Sequence, residues 1–232
     1  MIGGEPSGEL SGEPSGQLSG QLSGLTLDRL VIRHHGRVVV ALDCHVAGGE
    51  VVTVMGPSGS GKSTLLAAIV GALPPGFSAS GQVRLAGRDL AGLSTADRRI
   101  GLLFQDDLLF PHLSVGGNLA FALPPGLRRR SARDAAIAAA LVQVGLAGFA
   151  NSDPATLSGG QRARVALMRT LLAEPQALLL DEPFSRLDAA LRDQIRQVVF
   201  ALARARALPV LLVTHDPGDA DAAGGRVVQL GM

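Results

Sequence analysis

Tryptophan and tyrosine are absent from this 232-residue chain, and cysteine and lysine each occur once. Each shortage excludes something. The lone thiol, Cys44, cannot close an internal disulfide; it fits a reducing compartment and reads as a small core side chain. Seven phenylalanines are the only large rings, too few for a surface that stacks exposed bases. No apolar run approaches the ~18–20 residues needed to cross a bilayer, and the polar N-terminus lacks the basic and apolar blocks of a secretory leader. Formal net charge is +1, and the first 24 residues hold Glu5, Glu9 and Glu13 without a basic group. The rest is too weakly basic for a nucleic-acid footprint, so no nucleic-acid partner is expected. Arg128-Arg129-Arg130 reads as the solvated start of a helix.

What is present is patterned. Residues 4–24 repeat GEPS, GELS, GEPS, GQLS, GQLS, a Gly/Ser/Pro-rich composition that cannot build a core, so a disordered tail is expected over 1–24. From Leu25 the chain alternates strand-like and helical segments. Strands are predicted over Leu25–Arg33 and Arg37–Val46 with a turn at His35-Gly36, then over Gly81–Ala86, Ile100–Gln105, Ala177–Leu180, Val210–Val213 and Arg226–Leu230. Helical composition fills Val115–Leu123, Ala132–Val144, Arg162–Leu172 and Ala189–Ala207. Buried apolar strands separated by helices imply an α/β fold with a mostly parallel sheet, and the helix-rich stretch of about 106–160 reads as an inserted subdomain.

The sole lysine sits in Gly56-Pro57-Ser58-Gly59-Ser60-Gly61-Lys62-Ser63-Thr64, between the apolar run Glu50–Met55 and the helical run Leu65–Val70. Strand, glycine loop and helix are the context a phosphate-binding loop requires. The glycines let successive N–H groups turn inward, and the helix adds its positive end. Lys62 supplies a point charge for the β- and γ-phosphates, and the Ser63 hydroxyl a ligand for Mg²⁺. Ala177–Leu180 runs apolar into Asp181-Glu182. Asp181 suits the Mg²⁺ shell, and Glu182 suits a base for the water attacking a γ-phosphate. A second anion cradle is visible at Leu157-Ser158-Gly159-Gly160-Gln161, where Ser158 can cap the following helix and two glycines expose N–H groups. One nucleotide does not need two cradles; two facing subunits do.

Gly56–Thr64, Gln105, Leu157–Gln161, Asp181-Glu182, Ser185–Asp188 and His215, in this order, resemble the ATP-binding cassette (ABC) family over about residues 25–231. Asp181-Glu182-Pro183-Phe184-Ser185-Arg186-Leu187-Asp188 and Leu109-Phe110-Pro111-His112-Leu113-Ser114-Val115 resemble importer subunits, in particular the Ynj-type ATP-binding subunits. The resemblance implies a P-loop NTPase core, with an antiparallel β portion beside the parallel sheet, and ATP hydrolysis coupled to solute uptake. It implies an ATP-sandwich dimer in which Ser158, Gly159, Gly160 and Gln161 of one copy meet the nucleotide on Lys62 of the other. Gln105 then touches Mg²⁺ and the attacking water, His215 holds the γ-phosphate, and Asp188 signals between the two sites. Membrane permease subunits, a solute-binding protein and a peripheral place on the cytoplasmic face of the membrane are further implied. The family's adenine-stacking ring falls near His34-His35-Gly36 here, with His35 expected to take that part.

Overall fold

The computed structural model describes residues 24–231; the repetitive tail expected over 1–24 otherwise lies outside the described residues. Two sheets divide the work. An antiparallel sheet in the order β2-β1-β4-β5 is built from β1 (Leu25–His34), β2 (Arg37–Val46), β4 (Phe77–Leu85) and β5 (Arg88–Asp89). A parallel sheet in the order β6-β7-β8-β3-β9 is built from β3 (Val51–Met55), β6 (Ile100–Leu103), β7 (Ala177–Asp181), β8 (Val210–Val213) and β9 (Val227–Gln229). The helices are α1 (Lys62–Val70), α2 (Val115–Ala122), α3 (Arg130–Gln143), α4 (Gly159–Leu172), α5 (Ala189–Ala205) and α6 (Pro217–Ala223). The α/β fold with an antiparallel portion and inserted helices is as the sequence implies.

The parallel strands are apolar on both faces because both are covered. Leu178, Leu180, Val210 and Leu212 face a core shared with α4, α5 and the inserted helices. Their neighbours Leu179, Leu211 and Val213 face a second core, shared with α1 and the antiparallel sheet. Helix α1 lies between the two sheets, touching β1 on one side and β6 and β7 on the other. A helix so enclosed must be apolar all round, and Leu65, Leu66, Ala68, Ile69 and Val70 are all buried. This sandwich fixes the phosphate loop between a central strand and a buried helix.

Three of the boundaries that differ from expectation bear on the site. Strand β4 begins at Phe77, not Gly81, because Phe77–Ser80 pairs with Val31–His34 of β1 although Ser-Ala-Ser has little strand preference. Gly81 crosses a register shift in that pairing at φ 96°, where an added Cβ would strike the Arg29 carbonyl. Strand β6 ends at Leu103, leaving Gln105 in the following loop. Helix α4 starts at Gly159, so the two glycines form its first turn. It packs on α2 and α3, the helices of the insertion.

Candidate active site

The chemistry collects at the carboxyl ends of β3, β7 and β8, where open parallel sheets gather their sites. Strand β3 turns through residues 56–61 into α1. Gly61, at φ 88°, lies so close to Val39 and Val40 of β2 that a methyl group would collide with both. Lys62 Nζ donates to the carbonyls of Gly56 (2.8 Å) and Pro57 (2.9 Å). Two of its three N–H groups thus hold the loop, and one is left for a phosphate oxygen. Ser60 Oγ is buried with no hydrogen-bond partner beneath the loop.

The loop opens on a cavity of about 690 Å³. Its floor is Ser58, Gly59 and Gly61 through Thr64, and its acidic wall is Gln105, Asp181, Glu182 and His215. Burial pushes the Asp181 carboxyl above its ordinary value and neighbouring Glu182 adds to this, while a hydrogen bond from Ser63 and the charge of Lys62 oppose it. Ser63 and Asp181 both face the cavity, a hydroxyl and a carboxylate in a site where added positive charge is favoured. That donor set fits Mg²⁺, which takes few protein oxygens and leaves the rest of its shell to phosphates and water. Among the described residues no cluster of three or more His, Cys, Asp or Glu side chains could hold a metal without such help.

Glu182 is held in the left-handed region at φ 47°. Its N–H donates to the Val213 carbonyl of β8 (2.9 Å), and its own carbonyl accepts from the Ser185 amide (3.2 Å) and hydroxyl (2.8 Å). A non-glycine residue kept in that conformation by so many bonds marks a position whose side-chain direction matters. Glu182 Oε1 lies 2.9 Å from His215 Nδ1, at the end of β8. The pair spans the cavity mouth, the glutamate mostly covered and the histidine mostly exposed.

The third wall comes from the antiparallel sheet. His34 and Phe77, with Val39, line the cavity, whereas His35 does not. His34 and Phe77 are cross-strand partners, and their rings stack at 4.3 Å with planes 23° apart. His35 is the turn residue, at φ 45°, with its N–H on the Gly76 carbonyl. Adjacent histidines are indistinguishable in the sequence; the turn separates them. Phe77 carried no local signal, since only the β1–β4 pairing brings it there.

Ser158–Gln161 and Asp188 lie outside this cavity. Ser158 Oγ accepts from the Gln161 amide (3.3 Å), and Gln161 Oε1 accepts from the Ser158 amide (2.8 Å). This reciprocal cap leaves the N–H groups of Gly159 and Gly160 at the positive end of α4. Asp188 caps α5, accepting from the Leu191 amide (3.0 Å). The loop carrying Gln105 is pinned to both regions: Asp107 takes Arg162 of α4 at 3.1 Å, and Asp106 takes Arg186 at 2.5 Å.

A phosphate loop, a hydroxyl and a carboxylate facing one cavity, and a glutamate against a histidine define a nucleoside-triphosphate hydrolase of the P-loop class. The ABC transporter family model matches residues 39–185. The chain is 55% identical over 186 residues to an uncharacterized ABC transporter ATP-binding protein of Escherichia coli (strain K12), YnjD, covering 80% of this chain and 85% of that one. It is 47% identical to the thiamine import ATP-binding protein ThiQ of Cereibacter sphaeroides, covering 84% and 83%. A solved structure, a dimeric post-hydrolysis state of the ATP-binding cassette MJ0796 bound to ADP and Pi, matches with a TM-score of 0.78 and 31% identity over 89% of this chain and 94% of that one. This chain belongs to the ABC transporter family.

Proposed function

We propose that this chain is the ATP-hydrolysing subunit of a solute importer, and that it works as a pair of copies. One observation carries the reading. The cavity holds a phosphate loop, an acidic wall and a Glu182–His215 pair, yet the N–H groups of Gly159 and Gly160 do not reach it. A second copy placed head to tail supplies them, closing each nucleotide between the loop of one chain and the Ser158–Gln161 cradle of the other. The dimeric MJ0796 structure and the import relative ThiQ support this arrangement.

In the hydrolysis step, Glu182 takes a proton from water as the water oxygen bonds to the γ-phosphorus. The bond to the bridging oxygen breaks, and ADP leaves with that electron pair. Lys62 and the α1 N-terminus face the charge that develops on the phosphates. His215, bound to Glu182 through Nδ1, keeps Nε2 for the γ-phosphate. Gln105 orients the water. Ser63 and Asp181 would hold Mg²⁺, which would supply positive charge beside the phosphates. The His34–Phe77 stack and Val39 take the adenine face by stacking.

Coupling to the membrane fits a second groove, of about 560 Å³, where the Gln105 loop meets the inserted helices. Leu108 and Phe121 stand 56% and 71% exposed there, beside Phe110, Leu123 and Pro124. An apolar segment of a permease subunit suits it. The import relative ThiQ supports separate permease subunits, with this chain peripheral on their cytoplasmic side and a solute-binding protein opposite; no described helix is long and apolar enough to cross a membrane.

The Glu182→Gln variant tests the core of this reading. It keeps MgATP binding, loses about 10²–10⁴-fold in turnover, and elutes as a dimer when ATP is present. A fully active, monomeric Glu182→Gln protein would overturn both the role and the pairing.

A further inference from the structure

Behind the catalytic pair lies a network that the hydrolysis step does not use. Arg192, in the second turn of α5, donates from Nη2 to the Leu187 carbonyl (3.2 Å) and from Nη1 to Asp216 Oδ2 (2.8 Å). Leu187 directly precedes Asp188, and Asp216 directly follows His215. One guanidinium fork therefore ties the loop of Asp188 to the loop of His215.

The His215 side of this tie is reinforced. Arg196, one turn further along α5, donates from Nε to Asp219 Oδ1 (2.7 Å), and its Nη2 also reaches Asp219 and Asp216. Thr214 Oγ1 donates to Asp219 Oδ2 (2.6 Å) and accepts from the Asp216 amide (3.1 Å). Asp216 Oδ1 caps α6 through the Gly218 amide (2.8 Å). Both neighbours of His215 are thus fixed to α5, and the imidazole extends from a clamped backbone. Arg192 is the one member that also grips the Asp188 loop.

We infer that Arg192 is a positioning residue that carries a displacement of the Asp188 loop to His215, so that the two loops move as one body within a chain. This rests on the ATP-hydrolysing dimer proposed above. In that dimer the Asp188 loop lies beside the partner-facing cradle, where Leu187 and Arg186 neighbour Gly160, and His215 is the residue that must meet the γ-phosphate. A planar fork holds a carbonyl and a carboxylate together; an ammonium cannot span both.

The test is a two-residue cycle in the full chain, read by steady-state hydrolysis of MgATP. Arg192→Met lowers kcat about tenfold and leaves KM within about twofold, because binding and chemistry residues are untouched. Arg192→Lys behaves alike. Asp188→Asn, which keeps the helix-capping oxygen, lowers kcat by a similar factor. The double variant Asp188→Asn/Arg192→Met is no slower than the slower single, since the two act in series. An unchanged kcat in Arg192→Met, or a double variant in which the two losses multiply to about a hundredfold, overturns the inference. If Arg192→Met does not fold, the cycle with Arg192→Lys decides in the same terms. Wild-type turnover in the same assay separates the levels: its absence overturns the ATPase reading itself, whereas its presence with independent losses overturns only the coupling.

Discussion

Replacing Asp219 by alanine strands one of the few charged groups this fold buries. The Asp219 side chain is 4% exposed and its partner Arg196 10% exposed. The substitution removes the 2.7 Å bond from Arg196 Nε, a second guanidinium contact to the same oxygen, and the 2.6 Å bond from Thr214. Breaking a buried pair from one side costs ~3–5 kcal/mol, because the remaining charge stays desolvated. Arg196 keeps Asp193 Oδ1 at 3.0 Å and Asp216 Oδ2 at 3.4 Å, which puts the loss near the lower end, about 3 kcal/mol. At this chain length that lowers the melting midpoint by about 6–12 °C. Urea unfolding without nucleotide, which would otherwise stabilise the native state by mass action, measures it. The double variant Arg196→Met/Asp219→Leu should be more stable than Asp219→Ala by about 1–2 kcal/mol, since neither charge is left desolvated and only the Thr214 hydroxyl loses its acceptor. A loss under about 1 kcal/mol for Asp219→Ala would mean the pair behaves as though solvated, and the clamp on the His215 loop would lose its energetic basis.

Two further outcomes follow from the same geometry. Phe77→Ala should raise KM for ATP by roughly tenfold, from ~1–3 kcal/mol of lost stacking, with kcat little changed, while His35→Ala should leave KM alone; equal effects would refute the placement of the base against the His34–Phe77 wall. Burial raises the Cys44 thiol above its ordinary value, so the folded state favours the protonated form. The stability this contributes is full below the unfolded thiol's value of about 8.5 and is lost as pH rises through the higher folded value. Cys44→Ala should therefore flatten the alkaline fall of the urea midpoint, and an identical slope in the two proteins would contradict it.

Most of the architecture was legible because both strand and helix signals were strong. Buried runs such as Leu178-Leu179-Leu180 admit few alternatives, and the loop around Lys62 sits where strand gives way to helix. The phosphate-side residues followed from that context, whereas the part of His215 rested on the family resemblance, because nothing local shows that β7 and β8 are neighbours. What escaped was set by pairing across the chain. Phe77-Ser78-Ala79-Ser80 becomes strand only because β1 offers an edge, and the same pairing carries Phe77 to the cavity wall. His34 and His35 differ by one position, yet a tight turn sends one to the cavity and the other away from it. The Arg192 and Arg196 ties join residues 20 or more apart on α5 and the His215 loop. In the sequence those arginines look like the charged face of an amphipathic helix.

The central claim is that each working pocket is shared between two chains, and mixing two inactive variants tests it most directly. Lys62→Ala removes the phosphate-loop charge. Gly160→Asp sets a carboxylate at the partner-facing cradle, where an added Cβ meets only ordinary contacts with Leu187 and Leu191. Each variant alone should be inactive. In an equal mixture with free exchange half the dimers are mixed, and each holds one intact pocket, so hydrolysis should return to about a quarter of the wild-type rate. A mixture that stays as inactive as its components, while mixed dimers are shown to form, would contradict the shared pocket.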